Sequence, residues 1–183
     1  HFDGIYSAAY VWVNGRYVGY TQGANNVAEF DVTPMLRAGE NSVAVQVFRW
    51  SDGSYLECQD MFRMSGIHRS VYLYSVPRTA IRDHVLTATL SPSRTSATLN
   101  VMAVIDNRDR QAYTKHFDVT LYAPDGSEVI KLKDARVTCS PKANGQAGAA
   151  TDTLRVALKV PDNLLLWSAE TPNLYKVHIV QRD

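Results

Sequence analysis

The chain has 183 residues, enough for one large domain or two small ones with a substantial hydrophobic core. Its 19 Lys and Arg residues balance 18 Asp and Glu residues, giving a net charge of +1. No basic stripe is visible, so nucleic acid is not an expected partner. No apolar run reaches the roughly 20 residues that a membrane-spanning helix needs, so no membrane partner is expected either. Because the sequence starts at His1 in a strand-like pattern, we expect it to be a piece of a longer protein.

The first part of the chain predicts a β-hairpin. Residues 9–20 place Val11 and Val13 on one face and are divided by Asn14-Gly15. Asn-Gly suits a two-residue hairpin turn because both turn positions need positive φ. The segment is therefore expected to form two antiparallel strands.

Further strands are predicted after the hairpin. Residues 29–36 favour a strand that closes into a short helical turn at Pro34. Residues 42–50 alternate β-branched with small or polar side chains, which is typical of a half-buried strand. A long loop over residues 51–69 follows, and residues 71–76 predict one more strand.

A domain boundary is predicted where residues 76–83 interrupt the pattern with proline and charge, which gives domains over residues 1–79 and 80–183. The second domain contains six alternating strand-like runs. These are residues 84–90, 97–105, 115–123, 128–135, 153–160 and 174–180. This pattern is typical of an immunoglobulin-like β-sandwich, although the Cys-Trp-Cys spacing of antibody domains is missing. The whole chain is therefore predicted to be all-β.

The two cysteines, Cys58 and Cys139, fall in different predicted domains. We therefore expect no disulfide between them, and two lone thiols do not set a redox compartment. Localisation stays open between the cytoplasm and the periplasm.

The stretch from Arg49 to Arg69, RWSDGSYLECQDMFRMSGIHR, concentrates polar side chains among aromatic ones. This mixture suits a ligand rich in hydroxyl groups. Together with FDGIYSAAYVWVNGRYVGYTQG and AEFDVTPMLRAGENSVAVQVF before it, the stretch resembles the signature of the large bacterial β-galactosidases of glycoside hydrolase family two. The tail LLLWSAETPNLYKVHIV, residues 164–180, resembles the end of that family's immunoglobulin-like domain.

The resemblance implies a domain order of sugar-binding jelly roll, immunoglobulin-like sandwich and catalytic TIM barrel. It implies a partial, galactose-binding-like jelly roll over residues 1–79, and a barrel outside this sequence because a TIM barrel takes about 250 residues. It also implies a retaining mechanism with two glutamates about 5 Å apart, both supplied by the barrel. No catalytic residue is therefore assigned here, and a magnesium cofactor is expected only in the barrel.

Asp60 is the candidate substrate-binding residue. In the family, the acid that ends the Glu-x-Gln-Asp run reaches the galactose subsite and helps to hold a sodium ion, so the resemblance implies both roles for Asp60. A carboxylate suits them, because it is a hard oxygen ligand and accepts hydrogen bonds from vicinal hydroxyls. The alternative is that Asp60 only caps a turn.

Other residues of the loop are weaker candidates. Glu57 and Asp60 share a loop with no barrel to orient a substrate, so they are not predicted to be a catalytic pair. Cys58 stands where the family usually has an acid, and we expect an unreactive thiol rather than a nucleophile paired with His68. His68 stands at an aromatic position of the family and is expected to pack rather than to bind zinc.

Two arginines flank the loop. Arg49 and Arg69 are expected to pair with Asp52 or Glu57 and to brace the loop.

Two groups of aromatic residues have structural alternatives. Trp12, Tyr17 and Tyr20 are either a sugar-stacking platform or packing residues of the sandwich. Residues 167–175, with Trp167 and Tyr175 at their ends, are expected to fix the join to the barrel.

Three hypotheses on function follow. The first is a non-catalytic fragment of a retaining β-galactosidase, inactive alone, which scaffolds the barrel and lends Asp60 to the galactose subsite; a fragment of a β-glucuronidase is the alternative within this class. The second is a free-standing carbohydrate-binding module. The third is an assembly domain, because large enzymes of this kind are often homo-oligomers.

Overall fold

The computed structural model describes residues 1–57, 60, 62–143 and 149–182. The chain divides into two compact units, His1–Ser75 and Val76–Asp183. Both units are built from antiparallel β-sheets, which confirms the predicted all-β fold of a partial jelly roll followed by an immunoglobulin-like sandwich. Across the described ranges, no helix is long and apolar enough to cross a membrane.

The described residues of the first unit form five strands and two short helical turns. They are β1 (Ile5–Tyr6), β2 (Ala8–Val13), β3 (Arg16–Gln22), a 3-10 turn (Thr33–Met35), β4 (Val43–Phe48), α1 (Gly53–Leu56) and β5 (Gly66–Ile67). Three strands form a sheet in the order β3-β2-β4, and β1 pairs with β5. The predicted hairpin is confirmed, with φ of 52° at Asn14 and 75° at Gly15 in its turn.

The core of the first unit lies on one face of the β3-β2-β4 sheet. Ala9 and Val11 of β2 are buried there against Phe2 and Ile5, and Val47 of β4 packs at the edge. Burial of a side chain of this size stabilises a fold by about 1.5–3 kcal/mol. The alternating pattern of β2 therefore determines which face of the sheet is apolar.

Two strand predictions in the first unit are wrong. Residues 29–32 form no strand, although the helical turn at Pro34 is present. Residues 72–76 form none either, and Val71 makes only an isolated bridge with Phe2. A strand needs a backbone partner along its length. In the described chain, pairing at Val71 is limited to the hydrogen bonds between His1 and Tyr72 and one from the N–H of Asp3 to the carbonyl of Ser70.

Across the parts of the second unit that the structure describes, six long strands match the six predicted runs. They are β6 (Thr79–Leu90), β7 (Ala97–Asn107), β8 (Tyr113–Tyr122), β9 (Glu128–Cys139), β10 (Ala150–Val160) and β11 (Lys176–Arg182). They form two three-stranded sheets, β10-β7-β6 and β11-β8-β9.

The core of the second unit lies between these two sheets. Val101 and Ile105 of β7 are buried against Phe117 and Val119 of β8 and against Leu154 of β10. The inward faces predicted from the alternation of β7, β8 and β10 are therefore confirmed.

Candidate functional site

The loop between β4 and β5 begins with the single-turn helix α1, whose first residues are held by side-chain hydrogen bonds. The carboxylate of Asp52 accepts a hydrogen bond from Nε2 of Gln22 at 2.5 Å. The hydroxyl of the buried Ser54 accepts one from the backbone N–H of Ser51 at 3.1 Å. The first contact attaches the start of the loop to the end of β3, and the second holds the start of α1.

Glu57 fixes the other end of α1. Its backbone N–H donates to the carbonyl of Gly53 at 2.9 Å, and its carboxylate accepts from the backbone N–H of Ala24 at 3.4 Å. Ala24 is buried. The loop is therefore attached at two points, to the last residue of β3 and to the segment after β3, and each attachment is made by an acidic side chain.

The predicted pairing of Arg49 and Arg69 with these acids is wrong. Arg69 instead donates to the backbone carbonyl of Asn25 at 3.2 Å, and the guanidinium of Arg49 lies 5.6 Å from the ring centroid of Trp50. The side-chain amide of Gln22 and the backbone N–H of Ala24 already donate hydrogen bonds to Asp52 and Glu57. Neutral donors on the neighbouring segment have replaced the expected arginines.

Asp60 lies exposed between α1 and β5, with φ of 46°. Aspartate tolerates this left-handed backbone better than most residues, because its short side chain can form local hydrogen bonds. Cys58, Gln59 and Met61 lie outside the described residues. Within the ranges that the structure describes, no three His, Cys, Asp or Glu side chains are grouped closely enough to hold a metal ion. Asp60 could supply one oxygen ligand to a sodium ion.

The loop also presents aromatic faces to solvent. Trp50 and Tyr55 are stacked with ring centroids 6.4 Å apart, and the residue Tyr55 is 75% exposed. Phe62 is 94% exposed. The described part of the loop thus combines carboxylates with accessible aromatic faces, a combination that can bind a sugar.

His68 follows β5 and lies against the backbone of Gly4. A Cβ atom at Gly4 would come within 3.0 Å of both the His68 ring and the side chain of Arg69. A side chain at this position would therefore press on both neighbours, and they would have to move by a few tenths of an ångström.

A second candidate surface is the outer face of the β3-β2-β4 sheet, which we call the aromatic face. It consists of Tyr10, Trp12, Tyr17, Tyr20 and Phe48. The ring centroid of Tyr10 lies 5.0 Å from that of Tyr20 and 5.5 Å from that of Phe48, and the centroids of Trp12 and Tyr17 are 6.0 Å apart. Tyr17 is 53% exposed. The pattern of the sequence had pointed to three of these rings and missed Tyr10 and Phe48.

A β-bulge brings the rings of the aromatic face together. Tyr20 is paired with Tyr10, and Tyr17 is paired with Trp12, so that Val18 is the extra residue of β3. Strict alternation would place Tyr17 and Tyr20 on opposite faces of the sheet. The sequence signal for the bulge is the glycine that follows Val18, because glycine inside a strand often marks a bulge.

The segment expected to join the barrel folds back on itself. Trp167 makes an isolated bridge with Pro172, and Ser168 is hydrogen-bonded to Thr171 through both backbone and side chain. The hydroxyl of Tyr175 accepts from the backbone N–H of Leu165 at 2.9 Å. The role of this turn in a join remains a prediction.

The described cysteine is buried. Cys139 has no exposed surface, and this burial raises the pKa of its thiol. A thiol in this environment is a poor nucleophile, since the thiolate is the reactive form. The absence of a disulfide with Cys58, which lies outside the described residues, remains a prediction.

Comparison with known proteins identifies the family. Residues 1–77 match the sugar binding domain of glycosyl hydrolases family 2, and residues 79–183 match the adjoining domain described as glycosyl hydrolases family 2. The chain therefore belongs to glycosyl hydrolases family 2.

Individual relatives are considerably longer than this chain. The chain is 45% identical over 188 residues to a β-galactosidase of Yersinia enterocolitica and 46% identical over 182 residues to one of Yersinia pestis. These alignments cover 100% and 96% of this chain but only 17% of each relative. A crystal structure of a Bacteroides uniformis β-glucuronidase has a TM-score of 0.82 and 25% sequence identity, and the match covers 100% of this chain and 22% of that protein.

Proposed function

We propose that this chain is a non-catalytic region of a retaining β-galactosidase that hydrolyses terminal β-D-galactosides. In this proposal the chain scaffolds a catalytic TIM barrel of the same polypeptide, and it does not turn over substrate alone. Asp60 contributes a carboxylate to the galactose subsite and one ligand to a sodium ion.

The observation that carries this proposal is the identity to relatives named β-galactosidase. The chain is 45% identical over its whole length to one such protein and 46% identical over 182 residues to another. A galactoside is therefore the better supported substrate class. The chain covers 17% of the β-galactosidase and 22% of the β-glucuronidase, which favours a scaffolding role over that of a complete enzyme.

The geometry of the loop supports the role of Asp60. Asp52 and Glu57 attach α1 to Gln22 and Ala24, so the segment that leads to Asp60 starts from a fixed position. A carboxylate held on an anchored loop loses less conformational freedom when it binds a sugar hydroxyl.

The test uses the parent enzyme and the isolated chain in parallel. The isolated chain is expected to give no hydrolysis of an aryl β-galactoside, and protein-dependent hydrolysis by a purified sample would overturn the proposal. In the parent, Asp60→Asn is expected to lower kcat/KM for the galactoside by about 10- to 100-fold, because a hydrogen bond to a charged group is lost. The sodium dependence of the rate is expected to weaken with it.

Asp162→Asn is the matched control, because Asp162 is an exposed carboxylate in the second domain. It should leave kcat/KM and its sodium dependence unchanged. An aryl β-glucuronide assayed in parallel tests the alternative, and faster turnover of the glucuronide by the unmodified parent would reject the galactosidase assignment.

A carbohydrate-binding module is the second candidate, and the aromatic face favours it. Aromatic rings can stack against the apolar side of a pyranose. Gln22 and Gln46 flank the rings as cross-strand neighbours of Ala8 and Tyr10, and the hydroxyl of Tyr20 donates to Gln22 at 2.7 Å. Neutral amides and hydroxyls beside aromatic rings suit an uncharged polyhydroxyl ligand.

The three tryptophans of the chain distinguish the two candidates in one experiment. Trp12 belongs to the aromatic face, Trp50 stacks in the loop, and Trp167 lies in the second unit. Their indole N–H signals can be followed by NMR while the isolated chain is titrated with lactose in sodium buffer. A saturable shift confined to Trp12 supports the binding module. No shift at Trp12 rejects it.

A further inference from the structure

A cationic cavity is lined by residues of the second unit, near its first strand. Its volume is about 590 Å³, and its walls come from the segment before β6, the loop between β7 and β8, and the segment after β9. Four basic residues and one acid line it: Arg78, Arg108, Arg110, Lys142 and Asp109. Cavities of this size accommodate small organic ligands.

Basic side chains outnumber acidic ones among the described residues that line this cavity. Asp109, the one carboxylate among them, is engaged by Arg78 at 2.8 Å, and this hydrogen bond raises the pKa of the Arg78 guanidinium. Four basic side chains lie around this one acidic side chain. The whole chain carries only +1. Positive charge is therefore concentrated here rather than spread over the surface, and a concave wall of one sign raises the local concentration of counter-ions.

One buried amide holds the three walls together. Nδ2 of Asn107 donates to the backbone carbonyl of Gln111 at 2.9 Å and to that of Ser140 at 2.8 Å. Its Oδ1 accepts from the hydroxyl of Thr79 at 3.2 Å and from the backbone N–H of Asp109 at 3.0 Å. Asn107 is fully buried. The amide thus forms hydrogen bonds with the start of β6, with the loop between β7 and β8 and with the segment after β9. These bonds fix the backbone segments that carry the basic residues, and we call this arrangement the frame of the cavity.

Asp109 extends this frame. Its backbone carbonyl accepts from the N–H of Lys142 at 2.7 Å, which ties the segment after β9 to the loop between β7 and β8. The acid thus has a structural contact on each side, with Arg78 through its side chain and with Lys142 through its backbone. Its presence does not make the cavity a cation site, because Arg78 already neutralises it.

We propose that this cavity binds a small oxyanion, the phosphate or carboxylate group of a small molecule. Guanidinium groups present donors in a fixed fork that matches both kinds of oxygen, and lysine adds a point charge. A preorganised frame lowers the cost of bringing the cations together around the anion. The described residues that line it all belong to the second unit.

The test is an NMR titration of the isotope-labelled 183-residue chain with inorganic phosphate, followed at the backbone amides of Asp109 and Lys142. Saturable shifts with a dissociation constant on the order of millimolar are expected, weakening as sodium chloride is added. Arg110→Gln and Lys142→Gln should each raise the dissociation constant by about 3- to 10-fold, because each removes one charge from the wall.

Lys159→Gln is the matched control, since it removes one charge from an exposed position at the far end of β10. It should leave the dissociation constant unchanged. A response to phosphate that Lys159→Gln weakens as much as Arg110→Gln would show diffuse screening and overturn the proposal, as would the absence of saturable shifts.

Two further titrations define the ligand. Glucose 6-phosphate that binds more tightly than inorganic phosphate indicates an organic phosphate, whereas equal binding indicates that the anion alone is recognised; both outcomes support an oxyanion site. Unphosphorylated glucose should produce no shift at these amides. Equal binding of glucose and glucose 6-phosphate would contradict the proposal.

Discussion

Tyr20 lies directly across from Tyr10 on the neighbouring strand, with ring centroids 5.0 Å apart. Because the bulge at Val18 then places Tyr17 opposite Trp12, the same face receives four rings from two strands. Cross-strand aromatic pairs stabilise a sheet beyond the area that they bury. The aromatic face therefore contributes to the stability of the first unit, whether or not it binds a ligand.

Tyr10 is the central ring of this face, and its removal should be costly. Tyr10→Ala removes contacts with four other rings and should lower the free energy of unfolding of the first unit by about 1–3 kcal/mol. Urea unfolding followed by tryptophan fluorescence measures the change. Tyr55→Ala is the control, because Tyr55 is 75% exposed and stacks on one ring, and it should cost about 0.5 kcal/mol or less.

The hairpin turn allows hydrogen bonding and backbone strain to be separated. The side chain of Asn14 donates to the carbonyl of Met35 and to Oδ1 of Asn41, and accepts from the N–H of Ser42. Asn14→Gly keeps the positive φ and loses these bonds, and should lower the free energy of unfolding by about 1–3 kcal/mol.

Gly15→Ala is the complementary variant, because it keeps the side chain of Asn14 and strains the backbone. A Cβ atom at Gly15 meets no atom within 4 Å, so the cost arises from its φ of +75° and should be about 1–2 kcal/mol. Urea unfolding of both variants gives the comparison. A negligible effect of Asn14→Gly would show that the three hydrogen bonds do not stabilise the turn.

The carboxylate of Asp134 is expected to stabilise the folded state in a way that depends on pH. A hydrogen bond with His116, together with one from Arg136, holds the pKa of Asp134 at about 2, below its ordinary 3.8. Because the folded-state pKa is the lower one, the ionised form stabilises the fold above about pH 4, and this contribution is lost as the pH falls towards 2. Asp134→Asn should therefore lower Tm at about pH 6 and have little effect at about pH 2.

Asparagine is a suitable replacement at this position because Asp134 has φ of 61°, a backbone conformation that asparagine tolerates. The exposed Asp162→Asn serves as the control and should show no such dependence on pH. Calorimetry gives the Tm of each variant at both pH values. An equal decrease in Tm at both would mean that the charge of Asp134 does not contribute to stability.

The burial of Cys139 predicts a slow thiol. Its pKa is raised by burial, and no part of the side chain is exposed, so little thiolate forms and reagents have no access to it. In a Cys58→Ser variant, the remaining thiol should react with a disulfide reagent only after denaturant is added. Rapid reaction of the native variant would contradict the buried position, and the double variant Cys58→Ser, Cys139→Ser gives the blank.

Much of the fold could be read from local patterns. The alternation of residues 97–105 predicted the buried face of β7, and Asn14-Gly15 predicted the first turn, because a two-residue side-chain period and a positive φ are properties of short segments. The prediction for residues 71–76 was wrong because a strand also needs a partner, and the partner is set by distant parts of the chain.

The candidate site was less predictable than the fold. Asp52 and Glu57 are acids in a sugar-binding pattern, yet their hydrogen-bond partners, Gln22 and Ala24, are about thirty residues earlier in the chain. Opposite charge suggested Arg49 and Arg69, because a sequence shows charge but not distance. The role of Asp60 remains a prediction that came from resemblance.

By itself the sequence determined the all-β class, the buried faces of the long strands and the family, because these follow from side-chain period and motif. Only the tertiary structure decided that a bulge gathers the aromatic face and that Asn107 gathers three segments around a cationic cavity. The glycine after Val18 indicates a bulge without fixing which residues pair, and the cavity depends on contacts between residues far apart in the chain, which no local pattern specifies.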